Sequence, residues 1–137
     1  MDKILKIEEI KNAKISDPRF WGHSKYDGYL VETENHKYRI LIENGQGCCE
    51  SWGYFSTVDD HNDFIGANLI DIELTDESLN TKKLKESGYY DEEGIQFVSF
   101  KTDRGVFQLA VYNYHNGYYG HTIVIDKDEV IMLDDVL

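Results

Sequence analysis

The chain holds one proline, Pro18, only two cysteines, and 14 lysines and arginines against 26 aspartates and glutamates. Each scarcity excludes something. With little proline, no repeat period and no low-complexity run, linkers and repeat arrays are not expected. The two cysteines, Cys48 and Cys49, are neighbours. A disulfide between adjacent residues is strained, so they read as reduced thiols in a reducing compartment. No apolar run approaches the roughly 20 residues of a spanning helix, and the N-terminus, MDKILKIEEIKNAKI, is too charged for a secretory signal. The formal charge of −12 repels phosphate backbones and anionic lipid, so neither nucleic acid nor membrane is an expected partner. The expected location is the cytoplasm.

What is present fits one domain of 137 residues, with 41% hydrophobic residues for a core and 13% aromatics. Ten residues are tyrosine, whose ring packs while its hydroxyl stays polar, a mix suited to half-buried sheets and ligand walls. The apolar residues Ile4, Leu5, Ile7, Ile10, Ala13 and Ile15 recur at three and four, which favours a short amphipathic helix and leaves an edge strand open. From Gly28 the pattern is that of strands. Tyr29–Thr33 and Lys37–Ile42 form a hairpin through Glu34–His36, and Cys48–Phe55 reads as a strand or bulged loop. Thr57–Gly66 reads as a capped helical turn and Ala67–Leu74 as a strand. Residues 75–94 form a polar surface insertion. Ile95–Lys101 and Val106–Tyr112 pair through a tight turn at Thr102–Gly105, His121–Asp126 is a strand, and Glu129–Leu137 is a last strand or helical turn. The fold class is α+β or mostly antiparallel β, a hairpin-built sheet with one or two short helices.

Two segments stand out chemically. In Cys48-Cys49-Glu50-Ser51-Trp52-Gly53, neighbouring thiols on a strand point to opposite faces, so at most one joins His115 or His121 on a metal. Glu50 raises rather than lowers a thiol pKa, against a nucleophile. The plain reading is one core thiol and one at a surface. In Tyr112–Gly120, two asparagines, a histidine and four tyrosines offer seven polar tips around the turn signal Asn116-Gly117. They suit a purine and its ribose, and equally a hairpin flanked by sheet tyrosines. Asp59, Asp60 and Asp63 lack the periodicity of a calcium loop and read as a helix cap. His23, His36 and His61 read as solvated. Arg39 and Arg104 are the guanidiniums with which so acidic a chain would grip a phosphate, each also a candidate for an ion pair. No catalytic triad order, phosphate-cradling glycine loop or His-carboxylate metal motif occurs, so the chain does not read as an enzyme and no cofactor is expected.

Together, GQGCCESWGY (45–54), VDDHNDFIGANLIDIEL (58–74) and VYNYHNGYYGH (111–121) resemble a family of small phage-encoded proteins. Its better understood members are the anti-Thoeris sponges, which sequester cyclic ADP-ribose isomers made by bacterial TIR-domain enzymes. The resemblance implies a homo-oligomer, a dimer or hexamer, with ligand sites where protomers meet. By motif, Asn113, His115, Asn116, Tyr118 and Tyr119 would line the site, with Phe107 as a stacking surface and the Cys-Cys-Glu element architectural. The chain departs where sponges carry basic residues, since Ser51-Trp52 and His121-Thr122 stand there. Phosphate contacts then fall to Arg39, Arg104 or His121, or the ligand carries no phosphate. Residues 1–20 and 75–94 read as additions to the family pattern.

The expectation is thus a non-catalytic phage immune-evasion protein that binds a cyclic nucleotide signal in the host bacterial cytoplasm. The alternatives are an acidic, nucleic-acid-mimicking inhibitor of a defence enzyme, favoured by the charge, and an enzyme degrading the signal with His115 or His121 as base.

Overall fold

Leu, Ile, Val and aromatic residues alternating along short segments, separated by tight polar turns, build nine antiparallel strands in a computed structural model that describes residues 2–15, 25–45, 51–57, 60–75, 95–114 and 121–137. Strands β1 (Ile4–Ala13), β2 (Tyr26–Thr33), β3 (Lys37–Glu43), β8 (Thr122–Lys127) and β9 (Val130–Val136) form a five-stranded sheet in the order β1-β2-β3-β8-β9. Strands β4 (Ser51–Ser56), β5 (Leu69–Thr75), β6 (Ile95–Thr102) and β7 (Gly105–Tyr114) form a second sheet, β4-β7-β6-β5.

The two sheets pack face to face. Tyr29, Val31, Tyr38, Ile40, Ile42, Ile123 and Ile125 meet Val98, Phe100, Phe107, Leu109 and Val111 in one buried core. Aromatic edges cross the seam, with Tyr38 on Phe100 at 6.0 Å and Tyr29 on Tyr54 at 5.2 Å. The outer face of the five-stranded sheet carries a smaller cluster, Ile15, Tyr26, Leu41 and Val124.

The N-terminal segment corrects the helix favoured from its spacing. It is an edge strand, and the register slip between Ile4 and Lys6 explains the deception. A strand alternates with period two, so residues three apart face opposite sides unless a bulge inserts one residue. Here the bulge turns both Ile4 and Ile7 into the core, and Ile10 and Ala13 fall on the outer cluster. Over these residues the expected extension is an integral part of the sheet.

The other hairpins follow their turn chemistry. Thr33 and His36 close the β2–β3 turn, with His36 N–H donating to the Thr33 hydroxyl at 3.0 Å. Asp128 and Glu129 join β8 to β9 with φ of 52° and 68°, as a two-residue turn of the primed type requires. The expected capped turn is a 3-10 turn, His61–Phe64, with the Asp60 carboxylate accepting from Asn62 N–H. Gly66 ends that region at φ 91°. No α-helix occurs among the described residues, so of the two classes expected only the antiparallel β one is observed. Among the described residues no helix is long and apolar enough to cross a membrane.

Candidate functional site

The two ends of the sandwich differ. At one end sit the short turns: Glu34–His36, Asp103–Arg104, Asp128–Glu129 and the 3-10 turn. At the other, strand registers bring together the termini of all the longer connections. Ala13 pairs with Tyr26 and Tyr26 with Glu43, Ser51 with Tyr114, Thr75 with Phe97, and Ile95 with Tyr112. Residues 16–24, 46–50, 76–94 and 115–120 therefore all attach at this one end. Both conspicuous motif segments are among them, and they join adjacent strands, β4 and β7. Loops gathered at one end of a rigid sandwich are the usual place for a binding site.

The floor of this end is well defined. The Trp52 indole stacks on the His121 ring, centroids 5.5 Å apart and planes at 28°. His121 Nδ1 lies 2.6 Å from the Glu43 carbonyl. A carbonyl only accepts, so Nδ1 carries the hydrogen. His121 and Leu137 exchange backbone hydrogen bonds of 3.0 and 2.9 Å, and Asn113 Nδ2 donates to the Leu137 carbonyl at 2.9 Å. The ends of β3, β4, β7, β8 and β9 are thus tied through three side chains and one backbone pair.

Of the residues expected at the site, Asn113 and His121 meet here. His115, Asn116, Tyr118 and Tyr119, like Cys48, Cys49 and Glu50, lie outside the described residues. Phe107 is elsewhere. It is 0% exposed, its ring parallel to Phe100 at 4.9 Å and tilted against Phe64 at 4.9 Å. Six residues along β7 separate it from Asn113, about 20 Å at strand rise. Its assignment as a stacking surface does not match this position, because it fills the core near the turn end. Arg104 also sits at the turn end, where its Nη1 donates to the carbonyls of Asp63 and Ile65 at 3.2 and 3.0 Å and holds the 3-10 turn.

Arg39 is placed on the outer face of the five-stranded sheet. Its Nε donates to both oxygens of Asp126 at 3.0 and 3.1 Å, and its Nη1 reaches the Lys14 carbonyl at 3.0 Å. Asp126 is 1% exposed, so the guanidinium neutralises a buried carboxylate and straps the chain after β1 across the sheet. The pair borders a pocket of about 480 Å³ lined by Leu30, Lys37, Arg39, Asp126, Asp128 and Glu129.

Two histidines expected in solvent are engaged. His61 lies edge-on to Tyr29 at 5.8 Å, and burial lowers its pKa toward the neutral imidazole. His36 Nδ1 meets Asp128 Oδ2 at 2.6 Å. That contact first, and the Lys37 backbone N–H second, hold the Asp128 carboxyl below the usual range. A depressed carboxylate stabilises the fold above its unfolded pKa and loses that contribution as pH falls through the folded value. Asp128→Asn keeps a residue tolerant of positive φ but removes the charge. We expect it to melt slightly below the parent at pH 7, by under about 1 kcal/mol for so exposed a pair. The gap should narrow as pH falls through the titration of the folded carboxyl, and a constant gap down through the acid range in thermal melts would contradict the assignment.

Sequence reading left open whether Trp52 faces a core or a partner. The missing signal was the β4–β7 register, which sets Trp52 opposite Asn113. Among the described residues no group of three or more His, Cys, Asp or Glu is arranged to hold a metal ion. No curated protein and no solved structure matches the chain. One family model does, over residues 3–125. The chain therefore belongs to the family described as domain of unknown function DUF7448.

Proposed function

We propose that this protein is a non-catalytic phage immune-evasion factor that sequesters a cyclic nucleotide signal, a cyclic ADP-ribose isomer, in the cytoplasm of an infected bacterium. The observation that carries the reading is the Ser51–Tyr114 pairing, which sets the strand positions next to the Cys-Cys-Glu and His-Asn-Gly-Tyr-Tyr-Gly segments side by side. Positions 63 residues apart in sequence are thereby neighbours, and in this reading the two segments serve one ligand. The polar-aromatic composition of residues 112–120 supplies stacking faces and hydrogen-bonding tips without needing net positive charge. A homo-oligomer would close such an end against solvent and hold the messenger away from its receptor.

The test is a release assay. The protein is mixed with products of an active TIR enzyme, freed of unbound material, heat-denatured, and the supernatant analysed by mass spectrometry. Intact cyclic ADP-ribose recovered only after heating is expected, and Asn116→Ala should recover about tenfold less. A turned-over product would assign an enzyme instead. No nucleotide from the protein, with the messenger unchanged in solution, would refute sequestration and leave the acidic-inhibitor reading standing.

A further inference from the structure

We infer that Trp52 is the surface on which the flat heteroaromatic ring of the ligand, its purine base, stacks; the inference rests on the binding reading above. Trp52 stands at the second position of β4, beside the strand end that carries residues 46–50 and opposite Asn113, one residue before the end that leads into residues 115–120. It is a large aromatic ring at the point where both motif segments are rooted.

The indole packs against the edge of the main core cluster and stays only partly buried. One side of the indole is occupied by the His121 ring at 5.5 Å. His121 is 2% exposed while Trp52 is only partly buried, so the solvent-facing part of the stacked pair belongs to the indole. The support is rigid. His121 is fixed by its Nδ1 contact to the Glu43 carbonyl and by paired backbone bonds to Leu137, and neither can yield without opening the sheet end. A ring that is already oriented loses little rotamer freedom when a base stacks on it, which raises affinity at small entropic cost.

The chemistry suits an acidic protein. Stacking on an indole needs no positive charge from the protein and accepts any flat π system, with added attraction for a cationic ring such as an N1-substituted adenine. Phe107, the ring expected in this role, is enclosed in the core at the opposite end. Trp52 takes its place.

The chain has two tryptophans, Trp21 and Trp52. Trp21→Phe therefore leaves Trp52 as the sole indole emitter, and the experiment titrates this protein with cyclic ADP-ribose isomers and, in parallel, with ribose 5-phosphate, which lacks the base. Saturable quenching by a cyclic isomer, and none by ribose 5-phosphate, is expected. In calorimetry Trp52→Leu should weaken binding about tenfold or more, and Trp52→Phe much less, since a smaller ring still stacks. Binding of an isomer with unchanged Trp52 emission and parental affinity in Trp52→Leu would overturn this inference while leaving sequestration intact. Failure of the parent chain to bind any isomer would overturn both. Circular dichroism checks the folding of Trp52→Leu, and if that variant is unfolded the emission titration decides alone.

Discussion

Gly28→Ala should yield little or no folded protein. A methyl group built on Gly28 falls 1.9 Å from the Ile40 carbonyl oxygen, 2.9 Å from its carbon and 3.1 Å from Leu41 Cα. All three atoms are backbone of β3, the middle strand of the five-stranded sheet, which is hydrogen-bonded to β2 on one side and β8 on the other. Relief would require β2 and β3 to separate, breaking the ladder that runs from Tyr26–Glu43 to Glu32–Lys37. A cost above about 4 kcal/mol is reserved for such cases, and it rivals the ~5–15 kcal/mol that holds an ordinary domain together. The matched control is Gly45→Ala, where the nearest foreign atom is a flexible Glu43 carboxylate oxygen at 3.6 Å and the change should stay within about 0.5 kcal/mol. Urea unfolding followed by circular dichroism compares the two. A Gly28→Ala protein melting within a few degrees of the parent would refute the close approach of β2 to β3.

Asp126→Ala should be the next most damaging change. The carboxylate is 1% exposed and the Arg39 side chain 15%, so removing one partner leaves a charge among β2, β3 and β8 without its counterpart. Breaking buried pairs in this way costs about 3–5 kcal/mol. The pocket beside Arg39 admits water, which places the expected loss near the lower figure. Arg39→Leu combined with Asp126→Leu should recover most of it, because both charges then leave together. By contrast the exposed Lys101–Glu73 pair at 2.9 Å should matter little, since solvent screens it. Chemical denaturation of Arg39→Leu, Asp126→Leu and the double variant closes the cycle. Additive losses would show that Arg39 and Asp126 act independently.

Sequence patterning revealed the hairpins and concealed the registers. The β2–β3 and β6–β7 pairs announce themselves because their turns are local, with His36 answering Thr33 and Gly105 answering Thr102 across three residues. The β1 strand was hidden by its bulge, which converts strand alternation into helical spacing. At the candidate site the motif strings were legible as unusual chemistry, and Asn113 and His121 both bond to Leu137. Phe107 was drawn to that site, since nothing local tells which end of a ten-residue strand faces the loops. Arg39 and Arg104 looked like spare cations because their partners, Asp126 and the Asp63 and Ile65 carbonyls, lie 87, 41 and 39 residues away. Pairings over such distances are fixed by topology, which alternation alone does not carry.

That topology is nested. The whole four-stranded sheet, β4 to β7, is written between β3 and β8 of the five-stranded one, as a clause inside parentheses. During synthesis β1 to β3 emerge first with an unpaired edge on β3 and a bare apolar face, and residues 44–121 follow before β8 can close that edge. At ribosomal speed the wait is on the order of ten seconds. A half-built sheet exposed for so long invites edge-to-edge association with its neighbours on the same messenger. The surplus of 26 acidic over 14 basic residues, read first as a filter on partners, then has a second use as mutual repulsion among nascent chains.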